Sequence, residues 1–262
     1  MRTRGARALL LVILAAGCLL AAGTIINGTF NGNLNGWSVA GTAMSVGTQG
    51  NAVPPSGTTQ ALVASGQAVG GGASYADVPS ATLEADLNLP AGAITAALPN
   101  NFNQSLRGSA IWQTFNATAG DVVTFRWNFA TNEDIPTRFD AAAYTFRVGN
   151  NPAQVFELAD TNSAGVVNQP AGAGSPFTAM TGYGTVNIPI TTTGTYTIGF
   201  LSIQTFADLV TSGTYVSGVA GATDSVAPSV PAVSPRGLAI LGILLAASSA
   251  FLLRKSFAPH QL

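Results

Sequence analysis

The sequence predicts an all-β fold: one β-sandwich of jelly-roll type with a short helical insert, flanked by an N-terminal signal helix and a C-terminal transmembrane helix. Three observations predict it. Several segments of five to ten residues alternate apolar and polar side chains with the period of two that a half-buried strand requires. Gly and Asn punctuate these segments, as at Ala119-Gly120-Asp121 and Gly149-Asn150. The two long apolar runs of the chain, Ala8 to Ala22 and Gly237 to Leu253, lie outside the alternating region, each beside basic residues.

At the front, Arg2, Arg4 and Arg7 precede the apolar run and small residues end it, the order of a secretory signal. Ala21 and Gly23 suit a cut before Thr24, giving a signal over 1–23; a rival cut would leave Cys18 as a lipid-bearing residue. The alternating middle runs over 24–222. In DVVTFRWNF, Val123, Phe125, Trp127 and Phe129 share one face against Thr124, Arg126 and Asn128. AAYTFRV sets Tyr144, Phe146 and Val148 against Thr145 and Arg147, and GTYTIGF places Tyr196, Ile198 and Phe200 together. Further strands are expected over 40–46, 60–64, 109–115, 154–158 and 183–190. Two short helices interrupt them: ATLEADLNL, with Leu83 and Leu87 four apart and Ser80 placed to cap the first turn, and AGAITAAL, with Pro90 at the first helical position. The Gly/Ala-rich stretches 69–73 and 164–175 read as loops. A linker and processing motif over 223–236 lead to the apolar segment 237–253 and a basic tail, 254–262. Seventeen residues at about 1.5 Å each give roughly 26 Å, near the ~30 Å of a hydrocarbon core. Arg254 and Lys255 keep the tail on the cytoplasmic side, which leaves the middle outside.

Composition narrows the chemistry. Between Thr24 and Ser229 four arginines stand against eleven carboxylates, a net charge of minus seven, and no lysine precedes Lys255. Nucleic acid, which needs clustered cations, is excluded as a partner. The only histidine is His260 and the only cysteine Cys18, so the exterior part holds no Ser-His-Asp or Cys-His site, no zinc site of nitrogen and sulfur ligands and no disulfide. Oxygen chemistry survives. Asn132, Glu133, Asp134 and Asp140 offer the hard ligands that Ca2+ takes, against the plainer reading of a solvated acidic loop. A glycosidase pair built on Glu133 needs a second carboxylate about 5–10 Å away. Trp37 and Trp127 read as core residues. Trp112, beside Gln113 in an alternating strand, is the aromatic that could face solvent and stack on a sugar ring.

Two stretches resemble known families. VPAVSPRGLAILGILLAASSAFLLRK, from Val230 to Lys255, resembles the bacterial carboxyl-terminal sorting signals of the PEP-CTERM type, closest to the IPTL-CTERM variant. Val230, Pro231, Ser234 and Pro235 occupy the place of the short proline motif, Gly237 opens the apolar helix, and Arg254 and Lys255 form the basic end; Pro231-Ala232-Val233 stand where the standard signal has Pro-Glu-Pro. The resemblance implies an inner-membrane-anchored intermediate, an exosortase-like processing enzyme as partner, and final residence on the cell surface or in the extracellular matrix. IINGTFNGNLNGWSVAG, from Ile25 to Gly41, resembles the opening of exported sandwich domains related to carbohydrate-binding modules, and 108–134 is similar to the central strand pair of surface proteins with such tails. The expected function is therefore a non-enzymatic, structural or adhesive protein of the envelope or polysaccharide matrix. The alternatives are a Ca2+-dependent carbohydrate-binding module and, behind it, a carboxylate-only glycosidase. The acceptor sequons at Asn27 and Asn116 are incidental in a bacterial setting.

Overall fold

A computed structural model describes residues 25–66, 74–98, 106–133, 140–162, 169–205 and 210–221, all within one compact unit that ends at Ala222. The signal, the sorting motif with Val230, Pro231, Ser234 and Pro235, the apolar segment opened by Gly237 and the tail with Arg254 and Lys255 lie outside the described residues. Among the described residues no helix is long and apolar enough to cross a membrane.

The alternating segments form two six-stranded antiparallel sheets. In the first, β1 (Ser38–Ala40) and β4 (Val78–Pro79) share one edge of β5 (Leu106–Ala117), followed by β11 (Gly194–Thr205), β7 (Ala141–Val148) and β8 (Gln154–Asp160). In the second, β10 (Gly184–Pro189) and β9 (Ala179–Met180) share one edge of β6 (Val122–Thr131), followed by β12 (Ser212–Ala220), β3 (Gln60–Ser65) and β2 (Thr42–Val46). The inward residues of both sheets meet in one apolar core: Ile111, Phe115, Ile198 and Phe200 from the first, Ala61, Val63, Val123, Phe125 and Val216 from the second. Phe30 and Trp37 close it from the N-terminal loop. Trp37 lies 5.3 Å from Phe30 and 5.8 Å from Phe200, and Phe200 meets Phe125 edge-on at 4.8 Å. Such tilted and edge contacts add about 0.5–1.5 kcal/mol each beyond the area they bury.

The expected strand over 40–46 is two strands in different sheets. Gly41 takes φ +74° between β1 and β2, and a Cβ there would sit 2.3 Å from Ser109 Oγ. Only glycine lets the chain turn from one sheet to the other so close to β5. The nine-residue run SGTYVSGVA of the second sheet shows no clear alternation in the sequence, yet β12 is buried along nearly its whole length. It lies central in its sheet between β6 and β3, and Gly213 leaves room for the Phe177 ring, whose Cζ lies 2.7 Å from where a Cβ would be.

Both outer faces are partly covered, by different means. Helices α1 (Ser80–Asp86) and α2 (Ala93–Ala97) lay Leu83, Leu87 and Ile94 over Leu106, Ala110, Ala143, Leu201 and Ile203 of the first sheet. Ser80 is the first helical residue rather than the cap; Pro79 holds the cap position and makes no side-chain bond. Pro90 likewise precedes the second helix by a turn, and Gly92 is its cap residue. For α2 the missing cap is supplied at a distance: the buried Glu84 carboxylate accepts Gly92 N at 2.9 Å and Ile94 N at 3.0 Å. On the second sheet, Leu62, Ala64, Ala130 and Tyr215 are covered by Ala52, Ala171, Phe177 and Met180. Tyr215 donates to Gln49 Oε1 at 2.8 Å and Tyr183 donates to Gln60 Oε1.

Candidate functional site

The helical insert stops partway along the first sheet, and the burial pattern of β5 records where. Every residue from Gly108 to Ile111 is buried; beyond Trp112, Thr114 and Asn116 are exposed while Phe115 and Ala117 stay buried. The strand thus changes from covered on both faces to open on one. Trp112 stands at that boundary, half-buried and packed against the cluster beneath the helices. Opposite it lies Gly199, over which Leu87 of the insert reaches; a Cβ at Gly199 would meet Leu87 Cδ2 at 2.9 Å and Thr145 Oγ1 at 2.6 Å.

Past this wall the outward face carries a ladder of hydroxyl and amide groups set by the strand order β5-β11-β7, in which Thr114 and Asn116 are exposed, Arg147 is half-buried and Thr197 is buried. Thr114 pairs in register with Thr197, and Thr197 with Arg147. The Thr114 and Thr197 hydroxyls are 2.8 Å apart, and Arg147 Nη2 donates to Thr197 Oγ1 at 2.9 Å. One row further, Thr195 donates to Asn116 Oδ1 at 2.8 Å, which leaves the Asn116 NH2 group without a hydrogen-bond partner among the described residues. These cross-strand bonds hold each side chain in place without a ligand. The floor is polar, weakly charged and bounded on one side by an indole, a combination that stacks on the C–H face of a sugar ring and bonds its hydroxyls.

The calcium candidates behave differently from a solvated loop. Glu133 and Asp140 are buried, 5% and 0% exposed, at the end of β6 and the start of β7. Glu133 N donates to Thr131 Oγ1 at 3.0 Å, and Thr161 N donates to Asp140 O at 3.0 Å. Asn132 donates its amide to Pro176 O at 2.8 Å and Thr211 Oγ1 at 2.7 Å, tying the strand end to the loop over the second sheet. Asp134 lies outside the described residues. Among the described residues no group of three or more His, Cys, Asp or Glu side chains is arranged to hold a metal ion. Nearby, burial and the charge of Asp160 raise the Glu157 carboxyl above its ordinary range.

The sequence singles out Trp112 as a candidate but not Thr114, Asn116, Arg147 and Thr197, which the strand order places along the same face. Arg147 was legible only as an outward residue of its own strand. Its partnership with Thr114 depends on β11 lying between β5 and β7, which no local pattern reports.

No family model matches the chain, and no curated protein matches it. Among solved structures it is similar to TmCBM61 in complex with β-1,4-galactotriose, with 11% identity and a TM-score of 0.37 over 73% of this chain and 94% of that one. It is similar also to a protein described as Family 16 Carbohydrate Binding Module-2, with 11% identity and a TM-score of 0.34 over 76% and 99%. A third is the enzymatically active domain of tailspike protein 4 of bacteriophage CBA120, with 10% identity and a TM-score of 0.37; there the match covers 77% of this chain and 21% of that one.

Proposed function

We propose that this chain is an exported, non-enzymatic protein of the bacterial surface or extracellular matrix whose jelly-roll sandwich holds polysaccharide on the open half of its first sheet. The observation that carries the reading is the preformed ladder Thr114–Thr197–Arg147 beside Trp112. It is a rigid, wide polar floor, suited to lie along a chain of sugars rather than to enclose and cleave one. A catalytic role is disfavoured by the chemistry at hand: the exterior part has neither histidine nor cysteine, and the described candidate acids Glu133 and Asp140 are buried. Export and anchoring rest on the two apolar runs beside basic residues.

Binding of the full chain to an array of polysaccharides, with and without chelator, tests this. Binding that survives chelation and is lost in Trp112→Ala supports the proposal. Binding abolished by chelator moves the function to a Ca2+-dependent module, and an array without any hit for a well-folded protein overturns the carbohydrate reading. Truncation before Val230 is expected to release the protein into the medium; a truncated chain that still sediments with membranes would sink the sorting part.

A further inference from the structure

Resting on that reading, the floor also says which sugars it prefers. We infer that the open half of the first sheet selects acidic polysaccharides, specifically chains bearing carboxylates, with Arg147 as the specificity-determining residue. Arg147 has five N–H donors; among the described residues it makes one side-chain hydrogen bond, Nη2 to Thr197, and no ion pair. The other described arginines differ: Arg107 is paired with Asp77 at 2.6 Å, and Arg126 donates to Pro55 O at 3.1 Å from the opposite sheet. The Asn116 NH2 group also has no partner among the described residues, so both side chains have donors left for an incoming acceptor. A neutral sugar supplies hydroxyls, which donate as readily as they accept. A uronate supplies a planar carboxylate, the acceptor a guanidinium fork meets in two parallel bonds.

The protein's overall negative charge opposes a polyanion, and its size must be weighed. The nearest acid on the same strands, Glu157, pairs with Ala143, four residues along β7 from Arg147. That is about 13 Å along the strand, beyond the screening length of about 8 Å at physiological salt. Glu157 is therefore largely screened from a carboxylate seated at Arg147.

The test compares the full chain binding to polygalacturonate and to the same polymer with its carboxyls methyl-esterified, which removes the charge and keeps the sugar. The free acid is expected to bind about tenfold or more tighter, as loss of one charge-assisted bond implies. Arg147→Gln should erase the difference, Arg147→Lys should restore part of it, and Arg126→Gln, which removes a cation elsewhere, should leave it intact. Equal binding of both polymers, lost in Trp112→Ala, overturns the acidic preference and leaves the carbohydrate reading standing. A preference that survives Arg147→Gln, or that falls equally in Arg126→Gln, overturns the assignment of the residue. Dextran sulfate displacing polygalacturonate at lower concentration overturns the choice of carboxylate over sulfate. Binding to neither galacturonan overturns the inference, while hits among neutral glycans would still uphold the broader proposal.

Discussion

Glu84→Ala isolates the device that fastens the helical insert to the sandwich. The carboxylate is 6% exposed and accepts two backbone N–H groups, from Gly92 at 2.9 Å and Ile94 at 3.0 Å. It thereby performs for α2 what a capping side chain performs elsewhere, but from the preceding helix. A hydrogen bond to a charged group contributes about 1.5–3 kcal/mol, and losing an N-cap typically costs about 1 kcal/mol. Only one of the two orphaned donors, that of Ile94, is buried with the side chain it serves; Gly92 is exposed and recovers water. The expected loss is therefore about 2–4 kcal/mol, below the sum of two full bonds. For a domain near 200 residues this lowers Tm by about 4–16 °C. Urea unfolding followed by tryptophan fluorescence gives the free energy directly, and Asp86→Ala on the exposed side of the same helix is the control, expected within about 0.5 kcal/mol of the parent. A Glu84→Ala protein no less stable than that control would refute the long-range cap.

Two further outcomes follow from buried features. Burial pushes the Tyr215 and Tyr183 phenols far above their ordinary value near 10, against the pull of their hydrogen bonds. Below about pH 10 each phenol is neutral folded or unfolded; above it the unfolded chain releases protons that the folded one keeps, so stability falls as pH rises, by about 1.4 kcal/mol per pH unit per tyrosine. Denaturant midpoints between pH 9 and 11 should show this fall, and Tyr215→Phe should flatten it; a slope unchanged in that variant would count against the assignment. Gly41→Val forces a β-branched residue to φ +74° with its Cβ 2.3 Å from Ser109 Oγ and 3.0 Å from Ser109 Cα, where backbone strain alone costs about 1–2 kcal/mol. A loss of about 3 kcal/mol or more is expected in the same urea assay, and less than about 1 kcal/mol would mean that the turn between sheets does not need glycine.

The inward faces were readable in advance because period-two alternation is a local property. Val123, Phe125 and Phe129 point one way whatever they pack against, so β6, β7 and β11 could be written down from their own residues. The same locality explains the errors. β12 is not among the expected strands because Gly213, Gly218 and the serines Ser212 and Ser217 break its pattern, while in the fold its central place between β6 and β3 buries it. Ser80 and Pro90 were the nearest plausible caps in the chain, whereas Glu84 is eight and ten residues from the amides it binds.

By itself, then, the sequence determined the strand faces, the absence of imidazole and thiol from residues 24–229, and the deficit of positive charge there. These follow from residue type and short-range spacing, which survive any arrangement of the elements. Only the tertiary structure decided which outer surfaces are covered and which stay open. That depends on helices and loops packing against strands far away in the chain, and on β11 coming between β5 and β7 to bring Thr114, Thr197 and Arg147 into one row beside Trp112.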